Sequence, residues 1–365
     1  SPTEAMHSYF KSFSPSIKLA LNPLMLMAVT ATLLFKFVSN ITDKYKELSQ
    51  SMKVSLGQAK DFYKVQLDTL TSQKNQFATM GDLQEIQTSM IGSSGKVLGL
   101  TNKDSKELAI NLVEVGKYFG YGNEQAVQLH KTFERLGASD KLSLQLQRNV
   151  GYMAEMAGLS PQIVAQDLID SAEEVATYFA GMPDQAAKAV IEVRKMGMSL
   201  KQAGSIAQKM LRLDEFMTDM YELQAMTGGG IDFSSAFDKG LMGDIQGMTK
   251  DIMEQIGTTA DYNQMDYLTR TKIANTLGMS NDELAKSVML HEKMTGLDEK
   301  SKAYLDANLS RMGDISAMSQ EDIRSKMQSL QSTDRLAIAW DKIKGTLVDA
   351  LLPLVEAFAD GISAI

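Results

Sequence analysis

The residues with side chains suited to catalysis or metal binding are few and dispersed. In 365 residues there are three histidines, His7, His130 and His291, and no cysteine. None of the three histidines stands in an HExxH or comparable ligand spacing, so each reads as a surface or helix-packing residue, and no metal ligand or cofactor is assigned. The lack of cysteine removes thiolate zinc sites, cysteine nucleophiles and a disulfide-stapled secreted fold. Gly92-Ser93-Ser94-Gly95-Lys96 has the composition of a phosphate-cradling loop. Its glycines are too close together, however, Val97 stands where a magnesium-holding hydroxyl belongs, and the residues before it read as helix where a strand is needed. Gly228-Gly229-Gly230 reads as a flexible turn without the spaced third glycine of a dinucleotide fingerprint. Carboxylate neighbours such as Glu173-Glu174 and Asp214-Glu215 occupy adjacent helical positions and point to different azimuths, as on a solvated face. With no calcium loop and no Ser-His-Asp set, no catalytic residue is nominated and the chain reads as non-enzymatic.

Composition narrows the partners. The 45 acidic residues outnumber 37 basic ones for a net charge of −8, which argues against a nucleic-acid binder working through gross positive charge and against sequence-specific nucleic-acid recognition. At about 100–200 residues per domain, the length predicts two or three units. The chain opens at Ser1 and stops at Ile365 inside an apolar pattern, so it is expected to be a segment of a longer polypeptide.

The elements that would position any site are helical. Residues 1–38 read as a lead-in followed by an apolar helix: from Leu19 to Phe35 there is no charge, between Lys18 and Lys36. Such a helix rises about 25 Å, just short of the roughly 30 Å core of a bilayer, so it reads first as a buried helix or one that packs against identical copies, with conditional membrane insertion as the alternative. Residues 39–91 form a coiled-coil-like segment in which Ile41, Tyr45, Leu48 and Met52 step by four, three and four and Leu56, Ala59 and Tyr63 repeat the steps, so two or more helices should pair along this seam. Gly57 and the slip at Met52 to Leu56 argue against one perfect rod.

From residue 92 a recurring signal sets the grammar: Leu98-Gly99-Leu100-Thr101, Leu136-Gly137-Ala138-Ser139, Ala157-Gly158-Leu159-Ser160, Met196-Gly197-Met198-Ser199 and Leu277-Gly278-Met279-Ser280. In each, the glycine closes one helix in the left-handed region, the apolar residue packs back, and Ser or Thr caps the next helix. The glycine spacings of 38, 21, 39 and 81 exclude a fixed-period solenoid. Loops are expected at 91–95, 181–184, 227–234 and 312–320, with a helical module over 92–226 and a second over 227–333. Residues 334–365 read as an amphipathic helix whose stripe includes Trp340, Leu347, Leu351 and Leu354. Strand signals are thin throughout. The fold class is therefore all-α, short capped helices in a multi-helical module preceded by an apolar helix and a coiled-coil-like segment.

Ten of the 25 methionines fall between Met196 and Met265. They read as adaptable core, and beyond that as residues able to pack in more than one environment, which suits a protein held in one assembly and later released. The seam of Ile41, Tyr45, Leu48 and Met52 and the stripe of Trp340, Leu347, Leu351 and Leu354 are the candidate interaction residues, for self-association or for partner proteins.

The run from Glu222 to Val288 has a recognisable order: Leu223-Gln224-Ala225-Met226-Thr227-Gly228, an Ile256-Gly257 helix end, Tyr262-Asn263 before Leu268 and Arg270, and Ile273-Ala274 leading to Leu277-Gly278-Met279-Ser280 with Asp282-Glu283-Leu284. This order, with Trp340-Asp341-Lys342-Ile343-Lys344 leading to Leu351-Leu352-Pro353-Leu354, resembles the tail tape measure proteins of tailed bacteriophages, those of large contractile-tailed phages in particular. Gly229-Gly230 lengthens one loop relative to that pattern, and Val288 to Lys293 lacks a second recognisable turn. The resemblance implies a structural virion protein in the tail-tube lumen, whose chain length sets tail length. It implies tail-tube and baseplate or tail-tip proteins as partners, association among copies, and contact of residues 19–35 with the host membrane during DNA ejection. The competing expectation is a membrane-active or pore-forming helical protein that inserts residues 19–35.

Overall fold

The structure, a computed structural model, describes residues 39–51, 53–71, 77–94, 103–295 and 318–330. The apolar run 19–35, Met52, the Leu98-Gly99 turn and the stripe of Trp340, Leu347, Leu351 and Leu354 lie outside the described residues. Of the described residues 82% are helical, in 17 helices with no strand, so the all-α expectation holds.

The chain divides into two compact units, the second covering Asn111–Leu330. In the first, α1 (residues 39–51), α2 (Leu56–Thr71) and α3 (Met80–Ser94) follow one another. The expected seam closes within the chain. Ile41 and Tyr45 of α1 pack with Leu67 of α2, and Leu48 packs with Ala59 and Phe62, so the two helices run antiparallel as a hairpin. Its turn carries Lys53 at φ +51 and is closed by Val54 N–H donating to Ser49 O at 3.1 Å and by Ser49 Oγ donating to Val54 O at 2.7 Å. Gly57, expected to break the segment, lies inside the first turn of α2; the chain reverses just before it. The loop expected at 91–95 is also corrected, because α3 stays helical to Ser94. Its start is fixed by Asp82 and Thr79 capping each other, and one glycine in a helix costs only about 1 kcal/mol relative to alanine.

The second unit begins within α4 (Lys103–Phe119) and continues through α5 (Asn123–Arg135), α6 (Asp140–Met156), α7 (Pro161–Asp170), α8 (Ala172–Phe179), α9 (Pro183–Lys195) and α10 (Leu200–Met210). There follow α11 (Leu213–Thr227), α12 (Ser234–Leu241), α13 (Ile245–Ile256), α14 (Thr259–Gln264), α15 (Tyr267–Leu277), α16 (Asn281–Thr295) and α17 (Gln320–Leu330). Helix α9 is the axle. Its Ala186, Ala187, Ala189, Val190, Ile191 and Val193 are all 0% exposed, and it touches α6, α7, α10, α13 and α16. A helix with so broad an apolar face packs several neighbours at once, and its alanines let them approach closely. Because α9 packs against α13 and α16, the boundary expected at residue 227 does not separate compact units.

The left-handed glycine and the returning backbone N–H are present at all four described turns; Ser139, Ser199 and Ser280 cap the helix that follows, whereas Ser160 makes no side-chain cap bond and leaves that start to Pro161. Met279 N–H donates to Ala274 O at 2.8 Å behind Gly278, whose φ of +72 is open to glycine. Ser280 and Glu283 then close a capping box, Ser280 N–H to Glu283 Oε2 at 2.9 Å and Glu283 N–H to Ser280 Oγ at 3.2 Å. At Gly197 the turn also has a packing reason, since a Cβ there would collide with the carbonyl oxygen of Ser287 on α16. Of the clustered methionines, Met198, Met210, Met220, Met248 and Met253 are core residues, whereas Met217, Met226 and Met242 are exposed.

Candidate functional site

The expected interaction residues divide in two. Ile41, Tyr45 and Leu48 are 3%, 8% and 1% exposed, buried against α2 of the same chain, so this half of the seam presents no free stripe. A groove beside the Gly228-Gly229-Gly230 turn is lined by Thr227, Gly230, Glu254 and Asp261 among others. Its carboxylates are engaged: Asp261 closes a capping box with Thr258, and Glu254 lies 3.7 Å from Lys250.

Several buried polar groups fasten helices to one another. Glu114 on α4 is 0% exposed and receives Arg324 Nε of α17 at 2.9 Å and Gln320 Nε2 at 2.7 Å. Burial pushes the Glu114 carboxyl above the usual range, opposed by Gln320 and Arg324. Arg148 on α6 adds bonds to Met318 O and Gln320 Oε1 at 3.0 and 3.2 Å, so α17 is pinned at several points. Asp167 on α7 accepts from Arg194 Nε of α9 at 2.7 Å and from the first backbone N–H of α10, Leu200, at 3.0 Å. Burial again raises its pKa against those partners. Near the surface, Lys272 of α15 donates to Asp219 and Glu222 of α11 at 2.8 and 2.5 Å.

One cluster differs because three titratable side chains converge on one point. His130 lies on α5 and Glu134 one turn further along the same face. The left-handed Gly137 turns the chain so that Asp140, the first residue of α6, returns to that face. His130 Nε2 is 3.8 Å from Glu134 Oε1 and 3.5 Å from Asp140 Oδ1, and one ligand atom from each residue falls within 4.8 Å of the other two. The imidazole is buried, its side chain 1% exposed, while the carboxylates stand 44% and 62% exposed. On the far side of the ring, Nδ1 is 2.8 Å from Ser143 Oγ, which in turn donates to the His130 carbonyl at 3.1 Å. Nε2 has no hydrogen-bond partner. Burial lowers the imidazole pKa to about 4, with the Asp140 charge pulling the other way; the Glu134 carboxyl is raised by burial and by Asp140.

The sequence gives this cluster little voice. His130 and Glu134 carry the i,i+4 spacing of a shared helical face, but the third member depends on where the Gly137 turn sends Asp140. The other histidines behave differently. His291 Nδ1 lies 3.3 Å from Lys195 O, joining α16 to α9 as a packing residue, and His7 is outside the described residues. No protein-family model, curated protein or solved structure matches this chain.

Proposed function

We propose that this chain is a module of a bacteriophage tail tape measure protein of the contractile-tailed type, a non-enzymatic virion component that scaffolds the tail tube and baseplate and acts through its surfaces. The observation that carries the reading is the ordered run from Glu222 to Val288. Its resembling elements coincide with helix ends: Leu223 to Gly228 with the close of α11, Ile256-Gly257 with the close of α13, and Leu277-Gly278-Met279-Ser280 with the junction of α15 and α16. The order of motifs is therefore the order in which short helices are closed and restarted, a property of the whole run rather than of any one cap. Such helices are marginal alone in water and depend on one another, so the run works as a packed body.

The test is electron microscopy of virions, in the phage encoding the chain, with residues 222–300 deleted in frame. The expected result is tailless or aborted particles. Infectious virions with normal tails would reject the proposal. The second reading, membrane insertion, rests on the uncharged run from Leu19 to Phe35. Among the described residues no helix is long and apolar enough to cross a membrane. Dye release from liposomes by the full chain, without any tail defect in the deletion phage, would favour that reading.

A further inference from the structure

The three acceptors around His130 need something positive between them. Ser143 has one hydroxyl hydrogen, and its geometry toward the His130 carbonyl uses it there. Nδ1 then carries the ring proton and donates it to Ser143 Oγ, which leaves the buried Nε2 lone pair facing two carboxylates. Lone pair and carboxylates repel each other unless a second ring proton or a metal cation lies among them. The donor spacing suits one: four ligands about 2.1 Å from a tetrahedral ion sit about 3.4 Å apart, and the two edges from Nε2 are 3.5 and 3.8 Å. A ligating imidazole also characteristically donates its other N–H to a fixed acceptor that holds the ring in place, which is the part Ser143 plays.

We propose that His130 Nε2, Glu134 and Asp140 bind one divalent transition-metal ion, Zn2+ as the best fit to a one-nitrogen, two-oxygen donor set with an open fourth position. The exposed carboxylates admit the ion from solvent and the buried imidazole fixes its depth. Bound there, it staples the last turn of α5 to the first turn of α6 across the Gly137 turn. The role is structural and independent of the tail reading.

The experiment is titration of the full chain with Zn2+, read by calorimetry and by nitrogen NMR of the three histidine rings. One ion per chain is expected, with His130 Nε2 shifting and His7 and His291 unmoved. Because His130 is buried and its replacement can unfold the chain, the decisive variants are the exposed Glu134→Gln and Asp140→Asn, checked for unchanged circular dichroism. Each should weaken binding by more than about tenfold, and Ser143→Ala by about 10–100-fold. Absence of binding at millimolar Zn2+, binding unaltered in the double carboxylate variant, or shifts confined to the other histidines would each overturn the proposal.

Discussion

Gly278 shows how much a single residue can decide. Its φ of +72 closes α15, and an added Cβ would sit 3.0 Å from Lys209 Cδ. Gly278→Val should therefore lose about 1–2 kcal/mol for the left-handed backbone alone, with the contact in addition. Gly57 has no positive φ, and nothing lies within 4 Å of where its Cβ would stand, so Gly57→Ala should be neutral or stabilising by up to about 1 kcal/mol. Thermal denaturation of the two variants compares them directly, and equal midpoints would contradict the assignment. The cap residues were legible in the sequence because a Gly-x-Ser turn is a local device written in four consecutive residues. Asp167 and Glu114 were not, since nothing near either in sequence announces Arg194 or Arg324, which lie on other helices. The His130 cluster fell between the two cases, half of it helical spacing and half the course of a turn.

Helix α17 illustrates the element scale. It is held to α4 by a buried Glu114 whose charge is tolerated because Arg324 answers it. Removing the guanidinium with Arg324→Met leaves an uncompensated buried carboxylate, at a cost of about 3–5 kcal/mol. A carboxyl whose folded pKa is raised stabilises most when protonated, below its unfolded pKa, and that contribution is lost as pH rises through the folded pKa. In the variant the upward push of burial is unopposed by Arg324, so its deficit against wild type should be small at acid pH, where Glu114 is protonated, and grow as pH rises through the raised pKa. Urea midpoints across that rise in pH measure it, and a pH-independent deficit would show that Glu114 is not the group responsible. The α1–α2 hairpin makes a second case. Leu48, 1% exposed, packs on Ala59 and Phe62, and Leu48→Ala should cost about 2–5 kcal/mol. Hydrogen exchange of the α1 amides should accelerate and, in wild type, be independent of protein concentration. Concentration-dependent protection would instead mean that the seam pairs separate chains. The heptad-like spacing was correctly legible as a pairing face, but spacing alone does not say whether the partner is another copy or the next helix.

At the scale of the molecule, helical class was legible from cap density, whereas the single body from Asn111 to Leu330 was not, because α9's contacts with α13 and α16 join segments far apart in sequence. The hairpin also changes what this chain can contribute as a ruler. A helix adds about 1.5 Å per residue only while it continues in one direction. Here the 13 residues of α1 and 16 of α2 run back on each other, so their lengths do not sum along an axis. Under the tail reading, α1 and α2 in this form then add no length to a ruler. Removing seven residues from each helix preserves the apolar phase of both and would shorten an extended ruler by about 21 Å. As a hairpin, the same deletion should leave tail length unchanged in electron micrographs while lowering the yield of assembled particles. Tails shortened by that amount would mean that α1 and α2 straighten into one continuous helix inside the tube, and the compact form would then be a state that precedes assembly.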